Sequence, residues 1–134
     1  MACERANAEG RRCKMVIVSD DCAIARTGTT AATSRMHTGA RGVAGCILVI
    51  KAAGAAAAAG KSLEEVAEIA TCVADRIGSL GVALNAVTLP GAAQINSRLD
   101  GEKIEIGLGI HGEAGIRQTA MMPADEIAKE MVDT

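Results

Sequence analysis

The sequence predicts an α/β fold, because segments with helical periodicity and segments with strand-like alternation follow one another along the chain. The clearest helix spans residues 62–78, where apolar side chains recur every three or four positions. Residues 80–90 and 103–110 instead alternate with a period of two, which favours strands. The chain of 134 residues has the length of one domain or of part of a larger one.

The first elements are expected in the N-terminal 42 residues. Residues 2–9 have a helix-forming composition, and Gly10 is expected to end that helix. Residues 14–21 form a short apolar run that ends in two acids, which is typical of a buried parallel strand. Residues 27–42 are rich in Thr, Ser and Gly and therefore indicate a loop.

Two helices are expected next along the chain. Residues 43–59 are long enough for a helix ending at Gly60, although Cys46–Ile50 alone has the composition of a strand. Ser62 and Glu65 have the spacing of a capping box, in which each residue hydrogen-bonds the backbone N–H of the other, and they begin the helix over 62–78.

The C-terminal part combines strands with one further helix. The alternation in residues 80–90 stops at Pro90, and a turn at Asp100–Gly101 precedes the second alternating segment, 103–110. These two segments are expected to pair antiparallel. Residues 123–133 restart a helix with Pro123 in the first turn and acids directly after it, as the helix dipole favours.

Composition excludes several classes of function. Phe, Trp and Tyr are absent and the net charge is −2, so neither a stacking platform nor a basic surface for nucleic acid is expected. Five cysteines without a C-x-x-C pair indicate reduced thiols in a cytoplasmic protein rather than a disulfide framework or a metal site. The polar first residues do not form a secretory signal, and residues 43–59, interrupted by Lys51, are a poor membrane span.

Two glycine motifs suggest nucleotide binding, but neither has the context that such a motif requires. GAAAAAGKS, residues 54–62, has the wrong glycine spacing for a P-loop and follows a helix-like segment instead of a strand. The G-x-G-x-x-G of residues 107–112 follows a strand, but no second strand of a βαβ unit fits behind it. The glycines around His111 therefore need another explanation.

His111 is the candidate functional residue, since a neutral imidazole can act as a nucleophile, a base or a metal ligand near pH 7. Gly109 and Gly112 would let a small ligand approach the backbone closely, and Glu113 is near enough in sequence to orient the ring. A core or turn histidine satisfied by hydrogen bonds is the structural alternative. A metal site is disfavoured, because the only other histidine, His37, lies in a distant loop.

The sequence around His111, residues 105–117, resembles the substrate-binding segment of the dihydroxyacetone (glycerone) kinases. The resemblance extends over nearly the whole chain. The strongest match is the G-x-G-I-H-G-E signature, and the ATP-dependent single-chain branch is the most similar. The matching segments follow in family order: VIVSDDCAI (16–24), TGARGVAG (38–45), KAAGAAAAAGKSLEEVAEIA (51–70), GSLGVALNAVTLPG (78–91), EIGLGIHGEAGIR (105–117) and the C-terminal residues 112–134.

This resemblance implies one partial substrate-binding domain over residues 1–134. It would be part of an α/β domain with two subdomains and a parallel-sheet portion. Residues of about 1–78 would form the end of the first subdomain. Residues of about 79–134 would form the start of the second, which has a strand pair carrying the histidine loop. His111 would bind dihydroxyacetone covalently as a hemiaminal, with Gly109 and Gly112 shaping the pocket. The unprotonated ring is the reactive form, so binding should weaken as the pH falls.

The resemblance also implies what lies outside the chain. The family's acid–base residues belong to a G-G-G-S-G-H-E-P loop and an N-Y-T-G-D segment, which this sequence lacks. No catalytic residue is therefore assigned within the chain, and the chain alone is expected to be inactive. ATP and Mg²⁺ would bind a separate helical domain of the parent enzyme, which would be a cytoplasmic homodimer.

Several alternatives stay open at this point. The chain fits a non-catalytic dihydroxyacetone-binding regulatory relative or an inert product as well as a kinase. Ala40 departs from the family's arginine, His37 is taken as a solvated loop residue, and Asp20 and Asp21 are taken as a strand-end cap or turn.

Overall fold

The computed structural model describes residues 2–26, 41–85, 90–91, 99 and 101–134. The chain divides into two compact units, one comprising residues 1–20 with 44–79 and the other comprising 21–43 with 80–134. The described residues contain both helices and strands, with four helices before the three strands and one after them, and the predicted α/β class is confirmed. The predicted subdomain division at about residue 78 stays a prediction. Most of the predicted loop over 27–42, including His37 and Ala40, lies outside the described residues.

The described residues form helices and strands in the order α1 (Ala2–Ala8), α2 (Cys22–Arg26), α3 (Cys46–Ala58), α4 (Leu63–Ala74), β1 (Val82–Ala83), β2 (Lys103–Ile106), β3 (Arg117–Ala120) and α5 (Ala124–Asp133).

The first unit contains α1, α3 and α4, and all three helices were predicted from local signals. Gly10 and Gly60 follow α1 and α3 with φ of 78° and 77°, a conformation that favours glycine over any residue with a Cβ. Cys46–Ile50 is helical, which decides between the two interpretations of that segment. The capping box of α4 is present, with the Ser62 N–H donating to the Glu65 carboxylate at 2.9 Å.

The buried parallel strand predicted at residues 14–21 is wrong. Residues 11–20 form no strand, and Met15 and Ile17 are each 71% exposed. Val16, which is half-buried, lines a shallow cleft together with side chains of α3 and α4. A strand needs a hydrogen-bonded neighbour, and no strand of the described residues lies beside this segment. Apolar composition indicated burial correctly for one face only.

Asp20 fastens this segment within the first unit. Its buried carboxylate accepts hydrogen bonds from the Gly45 N–H, at 2.7 Å, and from the Ser79 hydroxyl. The Ser79 N–H also donates to the Asp20 carbonyl oxygen at 2.6 Å. A Cβ at Gly45 would lie 2.7 Å from the Asp20 carboxylate carbon, so a glycine is needed where α3 begins. Asp20 therefore has a structural role.

The second unit is built on a three-stranded antiparallel sheet in the order β1-β2-β3. Val82 pairs with Ile106, which confirms the predicted antiparallel pairing of the two alternating segments. Ile104 and Ile106 of the central strand are fully buried and form the core of this sheet. The strands are shorter than predicted, and residues 86–89 lie outside the described residues.

Strand β3 and helix α2 were not predicted. β3 has the sequence RQTA and is mostly exposed, so it lacks the apolar alternation by which a strand is recognised. Its strand conformation comes from pairing with β2, in which Ile104 lies opposite Thr119. Helix α5 begins directly after Pro123, with Asp125 and Glu126 in its first turn, as predicted.

Candidate functional site

The candidate site is the loop between β2 and β3, and it begins at Gly107. This residue has φ of 79°, and a Cβ there would lie 2.7 Å from the Ala23 Cβ. The Gly107 N–H donates to the Gly81 carbonyl oxygen at 2.6 Å, and the Ile116 N–H closes the loop by donating to the Ile106 carbonyl oxygen at 2.8 Å. Both ends of the loop are therefore held by the sheet.

Gly109 and Gly112 shape the inside of the loop. The Gly109 N–H donates to the Glu113 carbonyl oxygen at 3.1 Å, and a Cβ at Gly109 would overlap the Glu113 carboxylate. Gly112 has φ of 92° and faces open space. Gly109 thus lets the Glu113 carboxylate approach the backbone closely, whereas Gly112 adopts the positive φ that the loop requires. Their contact with a ligand stays a prediction.

His111 lies at the tip of this loop with 76% of its side chain exposed. Its backbone N–H donates to the Glu113 carboxylate, and its ring Nδ1 lies 3.2 Å from Glu113 Oε1. The exposure excludes the core histidine, whereas a turn histidine satisfied by hydrogen bonds stays open as the structural alternative. The Glu113 carboxylate therefore contacts both the backbone N–H and the ring of His111, while the ring itself is open to solvent.

The charge of Glu113 determines which ring nitrogen is available. Its pKa is lowered mainly by a hydrogen bond from its own backbone N–H, and further by the His111 side chain and by the charge of Arg41. It is therefore a carboxylate at neutral pH and can only accept hydrogen bonds. In the neutral ring the tautomer with the proton on Nδ1 suits this acceptor, and it leaves the lone pair on Nε2.

A buried ion pair supports the base of the loop. The Arg41 guanidinium donates to the Asp21 carboxylate at 2.7 Å from Nε and to the Gly107 carbonyl oxygen at 2.9 Å. The side chains of Arg41 and Asp21 are only 9% and 1% exposed. The other Asp21 oxygen accepts from the Ala23 N–H at 2.9 Å, at the start of α2. Arg41 thus links α2 to the first residue of the loop.

Sequence reasoning missed the role of this pair. Arg41 lies in the TGARGVAG segment that carried the resemblance, and Asp21 was taken only as a cap or turn. Arg41 is 20 positions from Asp21 and 66 positions from Gly107 in the sequence. The only signals are an arginine beside a glycine and an acid at the end of an apolar run, and these stand 20 positions apart.

The two rejected nucleotide motifs are structural elements. Gly54 lies inside α3, Gly60 ends that helix and Ser62 caps α4, so residues 54–62 form no phosphate loop. Residues 107–112 lead from one strand to another antiparallel strand and not into a helix. The G-x-G-x-x-G therefore forms a hairpin connection.

No metal-binding cluster of three His, Cys, Asp or Glu residues occurs within the described ranges. The described part of the chain also has no helix with the length and apolarity needed to cross a membrane.

Comparison with known proteins gives consistent matches over the full chain. The family model of the Dak1 domain matches residues 1–134. Triokinase/FMN cyclase of Homo sapiens is 43% identical over 133 residues, covering 99% of this chain and 22% of that protein. The native crystal structure of the dihydroxyacetone kinase of C. freundii superposes with a TM-score of 0.81 at 34% identity, covering 98% of this chain and 22% of that chain.

A third match has a different kind of function. The structure of a dihydroxyacetone kinase operon co-activator gives a TM-score of 0.81 at 31% identity, covering 97% of this chain and 38% of that chain.

The fold and these matches together identify part of a domain of the dihydroxyacetone kinase type. The chain belongs to the Dak1 domain family, and the resemblance found in its sequence is confirmed. The chain spans about a fifth of the length of the human and C. freundii relatives.

Proposed function

We propose that this chain supplies the dihydroxyacetone-binding loop of a dihydroxyacetone kinase. The observation that carries the proposal is the exposed His111 ring, whose Nδ1 faces Glu113 at 3.2 Å. The names of the matched relatives, a triokinase and a dihydroxyacetone kinase, support the substrate class.

The chemistry is a reversible addition. The Nε2 lone pair of His111 forms a bond to the carbonyl carbon of dihydroxyacetone, and the C=O π electrons move to the oxygen. The oxygen gains a proton and Nδ1 loses one, which gives a neutral hemiaminal. The Glu113 carboxylate stabilises the positive charge that the ring carries between these two transfers.

Covalent attachment suits a substrate of this size. A three-carbon ketone has few atoms with which to gain non-covalent affinity, because small ligands are limited to about 1.5 kcal/mol per non-hydrogen atom. Addition also requires a carbonyl group, so glycerol is rejected on chemical grounds. Gly109 and Gly112 keep the loop backbone free of side chains beside the reacting ring.

In the parent enzyme the bound ketone would receive the γ-phosphoryl group of ATP. ATP and Mg²⁺ would be held by a separate helical domain. His111 is thus a substrate anchor, and we expect no phosphorylation by this chain alone.

A regulatory protein is the second candidate function, because the co-activator matches this chain as well as the kinase does, with the same TM-score. Such a protein would bind dihydroxyacetone through the same loop without transferring phosphate. Restoration of the segments found in the kinase relatives, followed by an ATP-turnover assay, distinguishes the two, since only a kinase gains activity.

The addition is tested with dihydroxyacetone labelled with carbon-13 at the carbonyl position. Carbon NMR of the chain with this ligand should show a new tetrahedral carbon signal that disappears in His111→Ala and persists in His37→Ala. A tetrahedral signal that survives His111→Ala would refute the proposed anchor.

A further inference from the structure

Cys3 and Cys13 form a close pair in the first unit. Their Sγ atoms are 3.0 Å apart, with the Cys13 thiol donating to the Cys3 sulfur. Each thiol also lies near the partner's backbone carbonyl oxygen, at 3.3 Å for Cys3 and 3.2 Å for Cys13. Both side chains are half-buried and both thiols are free. The mutual contacts show that the two residues face each other directly.

The Asn7 side chain and the turn after α1 hold this pair together. Asn7 accepts a hydrogen bond from the Cys13 N–H at 2.8 Å and donates to the Cys13 carbonyl oxygen at 3.1 Å. Gly10, with φ of 78°, reverses the chain after α1, and the Arg11 N–H donates to the Ala6 carbonyl oxygen at 2.9 Å. The approach of the two sulfurs is therefore built into the turn that follows the helix.

We propose that Cys3 and Cys13 are a redox modification site, at which oxidised glutathione converts the two thiols into an intramolecular disulfide. A disulfide requires sulfurs about 2.05 Å apart, so the pair must close by roughly 1 Å from its present separation. The bond would tie α1 to the residues that precede the 14–20 segment. The site is independent of His111 and of the proposed function.

The reaction proceeds in two balanced exchanges. The Cys3 thiolate attacks one sulfur of oxidised glutathione, forms a mixed disulfide and releases one glutathione thiolate. Cys13 then loses its proton, attacks the Cys3 sulfur and releases the second glutathione. Two protein thiols are oxidised, and one glutathione disulfide is reduced to two thiols.

The thiol that reacts second is already beside its target, since the two sulfurs are 3.0 Å apart. The hydrogen bond with Cys3 is the main cause that raises the pKa of Cys13, with burial adding to it. This shift lowers the thiolate fraction of Cys13, so it is the close contact that favours the second exchange.

The test is equilibration of the chain in mixtures of oxidised and reduced glutathione, followed by alkylation, trypsin digestion and mass spectrometry. Trypsin cleaves after Arg5, Arg12 and Lys14, so the disulfide joins residues 1–5 to residues 13–14. This linked peptide should form before any pair that contains the other cysteines, which are Cys22, Cys46 and Cys72.

Control variants separate the folded geometry from mere nearness in sequence. The linked peptide should persist unchanged in Cys72→Ser, which removes the exposed thiol of α4, and should disappear in Cys13→Ser. Unfolding in urea or the substitution Asn7→Ala should lower the equilibrium constant for its formation at least tenfold. Mixed glutathione disulfides without the linked peptide, or equal linkage in urea and buffer, would overturn the proposal.

Discussion

The Arg41 guanidinium and the Asp21 carboxylate form a buried ion pair, with 2.6 Å between the nitrogen and oxygen atoms. The same guanidinium donates to the Gly107 carbonyl oxygen, at the residue where the histidine loop begins. The loop therefore depends on a charge pair that lies away from its tip.

Replacement of Arg41 by Gln should destabilise the second unit and weaken dihydroxyacetone binding. The substitution leaves the Asp21 charge buried without its cation, which typically costs about 3–5 kcal/mol of unfolding free energy. It also frees the Gly107 carbonyl from its donor. Urea denaturation and carbon NMR of the bound ketone measure the two effects separately.

Arg12→Gln is the matched control for this experiment, because the Arg12–Glu64 pair is exposed on both sides. Exposed pairs contribute about 0–1 kcal/mol, so the control should change little. Equal effects of the two substitutions would show that burial of the Arg41–Asp21 pair has no special importance. Arg41→Lys should recover only part of the loss, since an ammonium cannot bridge both acceptors in the same planar geometry.

Replacement of Glu113 by Gln should reduce dihydroxyacetone affinity by about tenfold, the loss expected when a charge-assisted hydrogen bond becomes neutral. The amide retains the shape of the side chain but cannot stabilise a positively charged ring. Titration of the tetrahedral carbon signal against ketone concentration measures the change. Glu126→Gln on exposed α5 serves as the comparison, and an unaltered affinity in Glu113→Gln would remove the carboxylate from the mechanism.

The two loop glycines should fail for different reasons when replaced by alanine. Gly109→Ala introduces a Cβ where the Glu113 carboxylate lies, so it should lower ketone affinity at least as much as Glu113→Gln does, by displacing that side chain. Gly112→Ala meets no atom but must adopt φ of 92°, which costs roughly 1–2 kcal/mol.

Gly112→Asn provides the control for backbone conformation, since asparagine tolerates a positive φ better than alanine does. Urea denaturation should therefore rank the Gly112 variants with asparagine above alanine. The opposite order, or normal binding in Gly109→Ala, would contradict the division of roles between the two glycines.

Acid should weaken α4 through its capping box. The Ser62 N–H and hydroxyl, together with Lys61, lower the pKa of Glu65 from 4.5 to about 2. A carboxyl whose pKa is lower in the folded state stabilises the fold above its unfolded pKa, and this contribution is lost as the pH falls from about 4.5 to about 2.

Urea denaturation followed by far-ultraviolet circular dichroism across this pH range measures the loss. Glu65→Ala should flatten the pH dependence relative to the unchanged chain, whereas Glu68→Ala on the same helix should leave the slope in place. An identical slope in Glu65→Ala and the parent chain would refute the assignment.

The parts of the fold that were predicted correctly depend on neighbouring residues. The Ser62–Glu65 box, Gly60 and Pro123 act within a few positions, so the sequence contains their whole cause. β3 and the Arg41–Asp21 pair depend on partners far along the chain and left no periodic signal. The Cys3–Cys13 approach was missed in the same way, because it requires the chain reversal at Gly10.

The error at residues 14–21 has a related cause. Apolar composition reports a preference for burial but does not identify the surface that provides it. Val16 faces the side chains of α3 and α4, while Met15 and Ile17 face outward within the described part of the chain. His111 was recognised through its glycine context and its family resemblance, whereas its support by Glu113 could only be suggested until the loop geometry was known.

The openness of the His111 ring has a consequence for discrimination among metabolites. A nucleophile at a loop tip meets every short aldehyde or ketone in its surroundings, hydroxylated or not. Electrophilicity alone would favour reactive aldehydes over a hydroxyketone. A preference for the hydroxyketone must therefore come from groups that hydrogen-bond the hydroxyls on either side of the carbonyl. Attack by the ring nitrogen and recognition of the hydroxyls are therefore separable. A loop of this kind can change its ketone substrate without a change of its histidine.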